Sequence, residues 1–290
     1  MNLVQSSARS QASADEETLA LIRHVAAIGL FLVQQAPAAA QGVQIASAPA
    51  KPPICTDRPT KSNFACTVPA GRWQVETDLF NYGVQRTAGA RTDVYLFTNP
   101  TIKYGVGHST DVEMNWVPFA RVTTRSGGVR SSASGVGDVI VRVKQRVTST
   151  GRPLQAALIP YVKVPTAPRG IGNRAWEGGM IVPVNYGLPH GFTLTVVPSL
   201  DMLADLDGHG RHWQLTGLVN LGKQVGRTTV YGELWTAQNF DPSGTARQYS
   251  ADVAVAHLIG EDLQLDLGGN FGLNRATPDA QLYVGLSARW

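Results

Sequence analysis

From Arg72 to Trp290, apolar and polar residues change places at nearly every step. The last ten residues, QLYVGLSARW, show the pattern cleanly. Leu282, Val284, Leu286, Ala288 and Trp290 fall on one side; Gln281, Tyr283, Gly285, Ser287 and Arg289 fall on the other. A period of two belongs to a strand with one apolar and one polar face. Such segments are expected near 72–83, 92–106, 110–124, 136–148, 153–165, 175–187, 192–204, 211–222, 227–239, 246–258, 263–274 and 280–290, which makes twelve strands. No helical period competes with them after residue 71. Tight connections such as GHS (107–109), LPHG (188–191) and GED (260–262) alternate with longer polar ones. VQRTAGAR (84–91), RSGGVRSSASG (125–135), TAPRGIGN (166–173) and DLDGHG (205–210) are examples of the longer kind.

That alternation of turn and loop is the habit of a transmembrane β-barrel. The expected fold is therefore all-β: a 12-stranded antiparallel transmembrane β-barrel of the outer-membrane type, wound as an up-and-down meander. An even strand count returns both termini to the periplasmic side. The final strand is expected to pair with the first, because an open edge in lipid would leave backbone groups unpaired.

Charge sharpens the picture. Taking the apolar parity as lipid-facing, the other parity carries Glu76, Asp78, Asp93, Lys103, Asp111, Glu113, Arg121, Asp138, Arg142, Lys144, Arg146, Lys163, Glu177, Asp201, Glu233, Asp252, Asp266 and Arg289. The lipid parity carries only Arg211 and Arg247, both at segment ends. A charge at the lipid midplane of a barrel costs roughly 2–4 kcal/mol, enough to produce this segregation. A soluble sandwich also alternates. It has no reason, however, to place Trp73, Tyr104, Trp176, Tyr186, Phe192, Trp213, Phe271 and Trp290 on the apolar parity at segment ends, where a barrel keeps its interfacial girdles.

Composition agrees. The 290 residues are 43% hydrophobic and 16% charged, with mean hydropathy near zero, which excludes a helical membrane protein. A formal charge of +4 is too small and too spread to argue for nucleic acid. The run LIRHVAAIGLFLV (21–33), followed by QQAPAAA, has the order of a secretory signal cleaved after Ala40. The domain reading is a signal segment at 1–40, an N-terminal segment at 41–71 that is periplasmic or inserted into the lumen, and the barrel at 72–290. Two cysteines in an exported chain, Cys55 and Cys66 in ICTDRPTKSNFAC, are expected to form a disulfide.

Several stretches together carry a family resemblance: DRPTKSNFACTVPAGRWQVETD (57–78), GVGDVIVRVKQRV (135–147), PYVKVPT (160–166), EGGMIVPV (177–184), LQLDLGGNFGLNR (263–275) and YVGLSARW. Over roughly residues 55–290 the chain resembles the outer-membrane β-barrel transporter family named for the MetA-pathway of phenol degradation. The resemblance implies an outer-membrane barrel that passes small, often apolar compounds. A strand ending on Trp290 also resembles the C-terminal signal read by the bacterial outer-membrane assembly machinery.

The candidate functional residues lie on the polar parity. Arg142, Lys144 and Arg146 recur at every second position, and Lys163 extends this basic ladder. Glu76, Asp78, Asp111 and Glu113 face it from neighbouring segments. The arrangement is either an ion-paired network filling a closed barrel or a polar passage with a transverse field. The aromatic residues Phe80, Tyr82, Tyr95, Phe97, Phe119, Tyr161, Tyr231, Trp235 and Tyr283 share that parity. Tyr95, Phe97, Tyr161 and Trp235 are the candidates for stacking a flat or apolar solute.

Prolines 100, 118, 160, 183 and 198 fall inside strand segments and are expected to mark bulges, or else a weakened wall between 153–165 and 192–204 open to the lipid. No catalytic motif is present, and no cofactor or metal is expected; DLDGHG opens like a calcium loop but lacks the closing Glu. The expected function is an outer-membrane channel whose partners are membrane lipid and a small-molecule permeant. The alternatives are a plugged barrel without transport and, less favoured, an outer-membrane lipid hydrolase.

Overall fold

The computed structural model describes residues 52–290. The expected signal segment, and residues 41–51 of the expected N-terminal segment, lie outside the described residues. The alternating segments form twelve barrel strands. These are β1 (Trp73–Thr87), β2 (Ala90–Phe97 and Thr101–Gly105), β3 (Thr110–Asn115 and Phe119–Ser126) and β4 (Val129–Gly135 and Val139–Arg146). They continue with β5 (Leu154–Val164), β6 (Glu177–Ile181 and Val184–Leu188), β7 (Phe192–Ala204) and β8 (Arg211–Val225). The last four are β9 (Thr228–Asn239), β10 (Ala246–Ile259), β11 (Leu263–Gly272) and β12 (Ala280–Arg289). Each pairs antiparallel with its sequence neighbour, and β12 pairs with β1 to close the wall.

The barrel is polar inside and apolar outside. Lys144, Gln74, Glu113 and Asn220 are among the largest fully buried side chains, whereas Leu234 and Leu267 are 62% and 59% exposed. A soluble sandwich would show the reverse. Trp73, Tyr104 and Trp290 stand on the outer face at the end where the chain enters and leaves the barrel, here called the terminal end, with the Trp73 and Tyr104 rings 4.6 Å apart. Trp176 and Trp213 stand at the opposite, loop end.

Two of the expected loops are hairpins instead. Residues 84–91 and 125–135 continue their strands and turn on Ala88-Gly89 and Gly127-Gly128. Gly127 and Gly128 have φ of 55° and 80°, the paired positive values that a two-residue hairpin turn requires. Strands β1–β4 therefore rise higher than their apolar pattern indicated.

Prolines 100, 118 and 183 fall in strand interruptions; prolines 160 and 198 lie within intact strands. The wall does not open between β5 and β7. The β5–β6 pairs Tyr186↔Leu154 and Lys163↔Glu177 belong to one register, as do the β6–β7 pairs Leu188↔Phe192 and Ser199↔Ile181. Across the interruption Ala157 N donates to Pro183 O at 3.1 Å, and Val182 N to Pro198 O at 3.0 Å. Proline lacks a donor but keeps its carbonyl, so these acceptors stitch the gap.

The larger consequence of irregularity lies in β1–β4. The β1 register against β12 slips by one residue between Asp78 and Phe80. Three-residue breaks at 98–100, 116–118 and 136–138 stand beside it at the same height. Asn115 Nδ2 donates to Asn99 Oδ1, Pro100 O and Thr101 Oγ1 at 3.0–3.1 Å, and Gly137 N to Val117 O at 2.8 Å. A bulge adds one residue and reverses the alternation beyond it. Below the seam Glu76 faces inward beside Ser287 and Thr101. Above it Asn81 lies opposite the inward Tyr283 and accepts from Gln281 at 2.9 Å. Leu96 and Ala120 follow Asn81 inward. Gly135 joins them, where a Cβ would meet Pro168 of the 166–173 connection at 2.6 Å.

The opposite parity turns outward above the seam. It includes Phe80, Tyr82, Asp93, Tyr95, Phe97, Phe119 and Arg121, all of which continuous alternation had assigned to the lumen. Phe80, Phe97 and Phe119 are 43–49% exposed. A spin label at Phe97→Cys in bilayers should therefore be relaxed more by oxygen than by a water-soluble nickel chelate, and a label at Leu96→Cys the other way round. The reverse pair of results would remove the inversion.

Candidate functional site: a plugged lumen

Residues 52–71 lie against the inner wall of the lower half of the barrel. They carry few apolar anchors, and their backbone donors are satisfied by inward side chains instead. Asp57 N donates to Glu76 Oε2 at 2.9 Å, Ser62 N to Glu233 Oε2 at 3.1 Å, Ala65 N to Asn185 Oδ1 at 2.6 Å and Val68 N to Asp111 Oδ2 at 2.7 Å. Gln74, Asn220, Gln264 and Arg289 reach the segment from four further positions on the wall. The Cys55–Cys66 disulfide closes the loop between them.

Two charge clusters hold the plug. In the first, Asp57 Oδ2 takes both Lys103 Nζ and Lys144 Nζ, the latter at 2.6 Å. Lys103 also meets Glu76 at 2.6 Å, and Lys144 meets Glu113 at 3.2 Å. Burial works to raise the Asp57 pKa, but the two ammonium groups outweigh it and hold the carboxyl well below the ordinary carboxylate range. In the second cluster, Arg58 donates Nε and Nη2 to the two oxygens of Asp266 at 3.1 and 2.7 Å, and Nη1 to Asp78 at 2.6 Å. The guanidinium occupies the space that a side chain on Gly285 would fill. Nearby, Lys61 Nζ donates to Ser250 Oγ at 3.1 Å and lies 4.9 Å from the Trp235 ring centroid. Burial pushes its pKa down to about 8, with Asp252 and Glu233 opposing part of that shift.

The basic ladder is divided. Lys144 is in the Asp57 cluster, and Arg142 stands at its edge, 3.8 Å from Glu113. Arg146 donates to the carbonyls of Thr148 and His108 at the terminal rim, both at 2.8 Å. Lys163 lies toward the loop end, 2.7 Å from Glu177 and 3.3 Å from Asp138. Glu76, Asp78, Asp111 and Glu113 all contact the plug or its lysine partners. Of the four aromatic candidates, Tyr161 and Trp235 face inward, Tyr161 donating to Asp201 Oδ1 at 2.7 Å. Tyr95 and Phe97 face outward, because of the seam.

Pattern reading missed Asp57, Arg58 and Lys61 as partners of the wall. A signal was present: the polar parity carries eleven acids against seven bases, an excess that calls for cations from elsewhere. At the loop end, Asp205 and Asp241 lie 2.8 and 3.4 Å from His212 Nδ1, in a group compact enough to hold a metal ion. Asp241 also accepts Leu206 N and Ser243 N, so the group ties two connections together.

A cavity of about 630 Å³ remains between the plug and the wall near the terminal end. It is lined by Cys55, Phe64 and Cys66 of the plug and by Arg146, Gln155 and Asn185 of the wall.

The fold and this interior define an outer-membrane-type β-barrel with a short internal plug. The chain belongs to the family described as "Putative MetA-pathway of phenol degradation", whose model matches residues 56–290. It is similar in structure to the COG4313 outer membrane channel from Pseudomonas putida F1 at a TM-score of 0.65 and 12% identity, over 80% of this chain and 100% of that one. Weaker likeness extends to the NanC porin, with a TM-score of 0.49, 8% identity and 74% and 98% of the two chains. The translocator domain of the autotransporter NalP from Neisseria meningitidis gives a TM-score of 0.47 and 12% identity over 76% and 88%. Among curated proteins none matches the chain.

Replacing Gly285 by Ala should expel the Arg58 guanidinium and leave Asp78 and Asp266 unpaired. The plug should then become cleavable by added protease at concentrations the native protein resists, with a loss of roughly 3–5 kcal/mol for a broken buried pair. Docking should also tighten with pH through Lys61. Its docked pKa is depressed, so the free segment binds more protons between about 8 and the ordinary lysine value, and docking strengthens as pH rises across that window. Protease protection should follow that rise, and Lys61→Met should flatten it.

Proposed function

We propose that the protein is a channel of the bacterial outer membrane that passes small molecules, aromatic or otherwise apolar ones among them, past the plug formed by residues 52–71. The observation that carries this reading is the 630 Å³ cavity, because the plug leaves one side of the terminal mouth unfilled. Inward aromatic groups support the permeant class: Phe64, which lines the cavity, meets Tyr231 edge-on with ring centroids 6.4 Å apart, and Trp235 and Tyr161 also face the lumen. The family description, which names phenol degradation, points to the same chemistry. The long connections and the terminal end lie at opposite rims, so we place the terminal end in the periplasm and the loop end outside. The exposed Trp290, directly after β12, suits recognition by the outer-membrane assembly machinery.

A second reading is a plugged barrel without transport, favoured by how much of the wall the plug engages. Solute flux into liposomes separates the two. The native protein should admit small aromatic solutes slowly, and Arg58→Ala combined with Lys61→Ala should raise the flux several-fold by loosening the plug. Absence of flux from both proteins, each shown to be folded, would favour the second reading.

A further inference from the structure

The seam carries a set of arginines to the outside of the barrel. Above it, β2, β3 and β4 place Arg91, Arg125 and Arg130 directly opposite one another across three neighbouring strands. Like charges at opposed positions destabilise a sheet. Among the described residues only one carboxylate pairs with any of these three: Asp93, which takes Arg91 at 2.7 Å and also Arg125. Arg121 lies on the same face two residues from Thr123, opposite Tyr95. Among the described residues, Arg121 and Arg130 have no acidic partner. Four arginines against one aspartate leave a net charge of about +3 on this stretch of the outer face. Arg121, Arg125 and Arg130 line a cavity of about 380 Å³ whose lower lip is Phe97 and Phe119, with ring centroids 5.6 Å apart.

Height identifies the surroundings. A strand tilted as in such barrels climbs about 2.5 Å per residue along the membrane normal, so an apolar band of about 25 Å spans roughly ten residues. Counted from the Tyr104 girdle on β2, the upper interface falls near Val94 and Tyr95. Phe97 and Phe119 then sit at acyl-chain level, and Arg91, Arg121, Arg125 and Arg130 sit in the headgroup layer. Arginine forks match phosphate oxygens, and an aromatic lip suits the first methylenes below.

We propose that this patch is a binding site for a phosphorylated glycolipid headgroup of the outer leaflet, with the arginines holding its phosphates and Phe97 and Phe119 packing on its acyl chains. The proposal rests on the orientation given above for the choice of leaflet, but not for the binding itself.

Native mass spectrometry of the full chain in neutral detergent provides the test, with diphosphorylated lipid A and its fully dephosphorylated form as probes. The diphosphorylated lipid should bind about tenfold more tightly or better. Arg121→Ala with Arg130→Ala, which breaks no internal ion pair, should erase that preference without lowering Tm. Millimolar inorganic phosphate should not displace the lipid. Equal binding of the two lipids, an unchanged preference in the double variant, or full displacement by inorganic phosphate would each overturn the proposal. Orientation is read separately, by labelling Gly128→Cys on intact cells with an impermeant maleimide; a wrong orientation would leave the detergent result standing.

Discussion

Hydrocarbon offers no partner to a peptide N–H or C=O, and this condition governs the whole wall. It closes β12 on β1, so the sheet has no free edge. It also dictates how the wall tolerates its prolines. Each break is crossed by a carbonyl that still has a donor to meet, as at Pro183 and Pro198, or by an amide side chain, as at Asn99 and Asn115. The barrel can bend at these points because hydrogen bonds still cross each break.

Inside, the same closure creates the opposite problem. An apolar outer face leaves charge no place but the lumen, where bare ions are costly. The interior is acid-rich, and the plug supplies what the wall lacks: Arg58 between Asp78 and Asp266, Lys61 beside Asp252, and a carboxylate, Asp57, where Lys103 and Lys144 crowd together. The plug is a counterion set threaded on a short chain. Its docking combines these ion pairs with the burial of Ile54, Ala65 and Val68.

The strand count, the closure of the sheet and its polarity were legible from alternation alone, because lipid imposes the pattern on each strand independently. The loops at 84–91 and 125–135 were misread as irregular because Thr, Ser, Arg and Gly lack an apolar face, although Gly127-Gly128 is a hairpin signal. Tyr95 and Phe97 were assigned to the lumen by counting in twos from below. The count was right and the phase was wrong. Nothing in Thr98–Asn99–Pro100 states how many residues the neighbouring strand will oppose to it.

What the sequence settled by itself is the local bargain each strand makes with its solvent: apolar residues to lipid, polar residues to water, aromatic rings at the boundary. What only the tertiary structure decided is relative. The phase of β1–β4 above the seam depends on a slip between β1 and β12, two strands separated by nearly the whole chain. The placement of Asp57 and Arg58 depends on cations and carboxylates brought together from opposite sides of the wall. Alternation is a property of one strand, whereas register and ion pairing are properties of several strands at once, and these exist only after the barrel has closed.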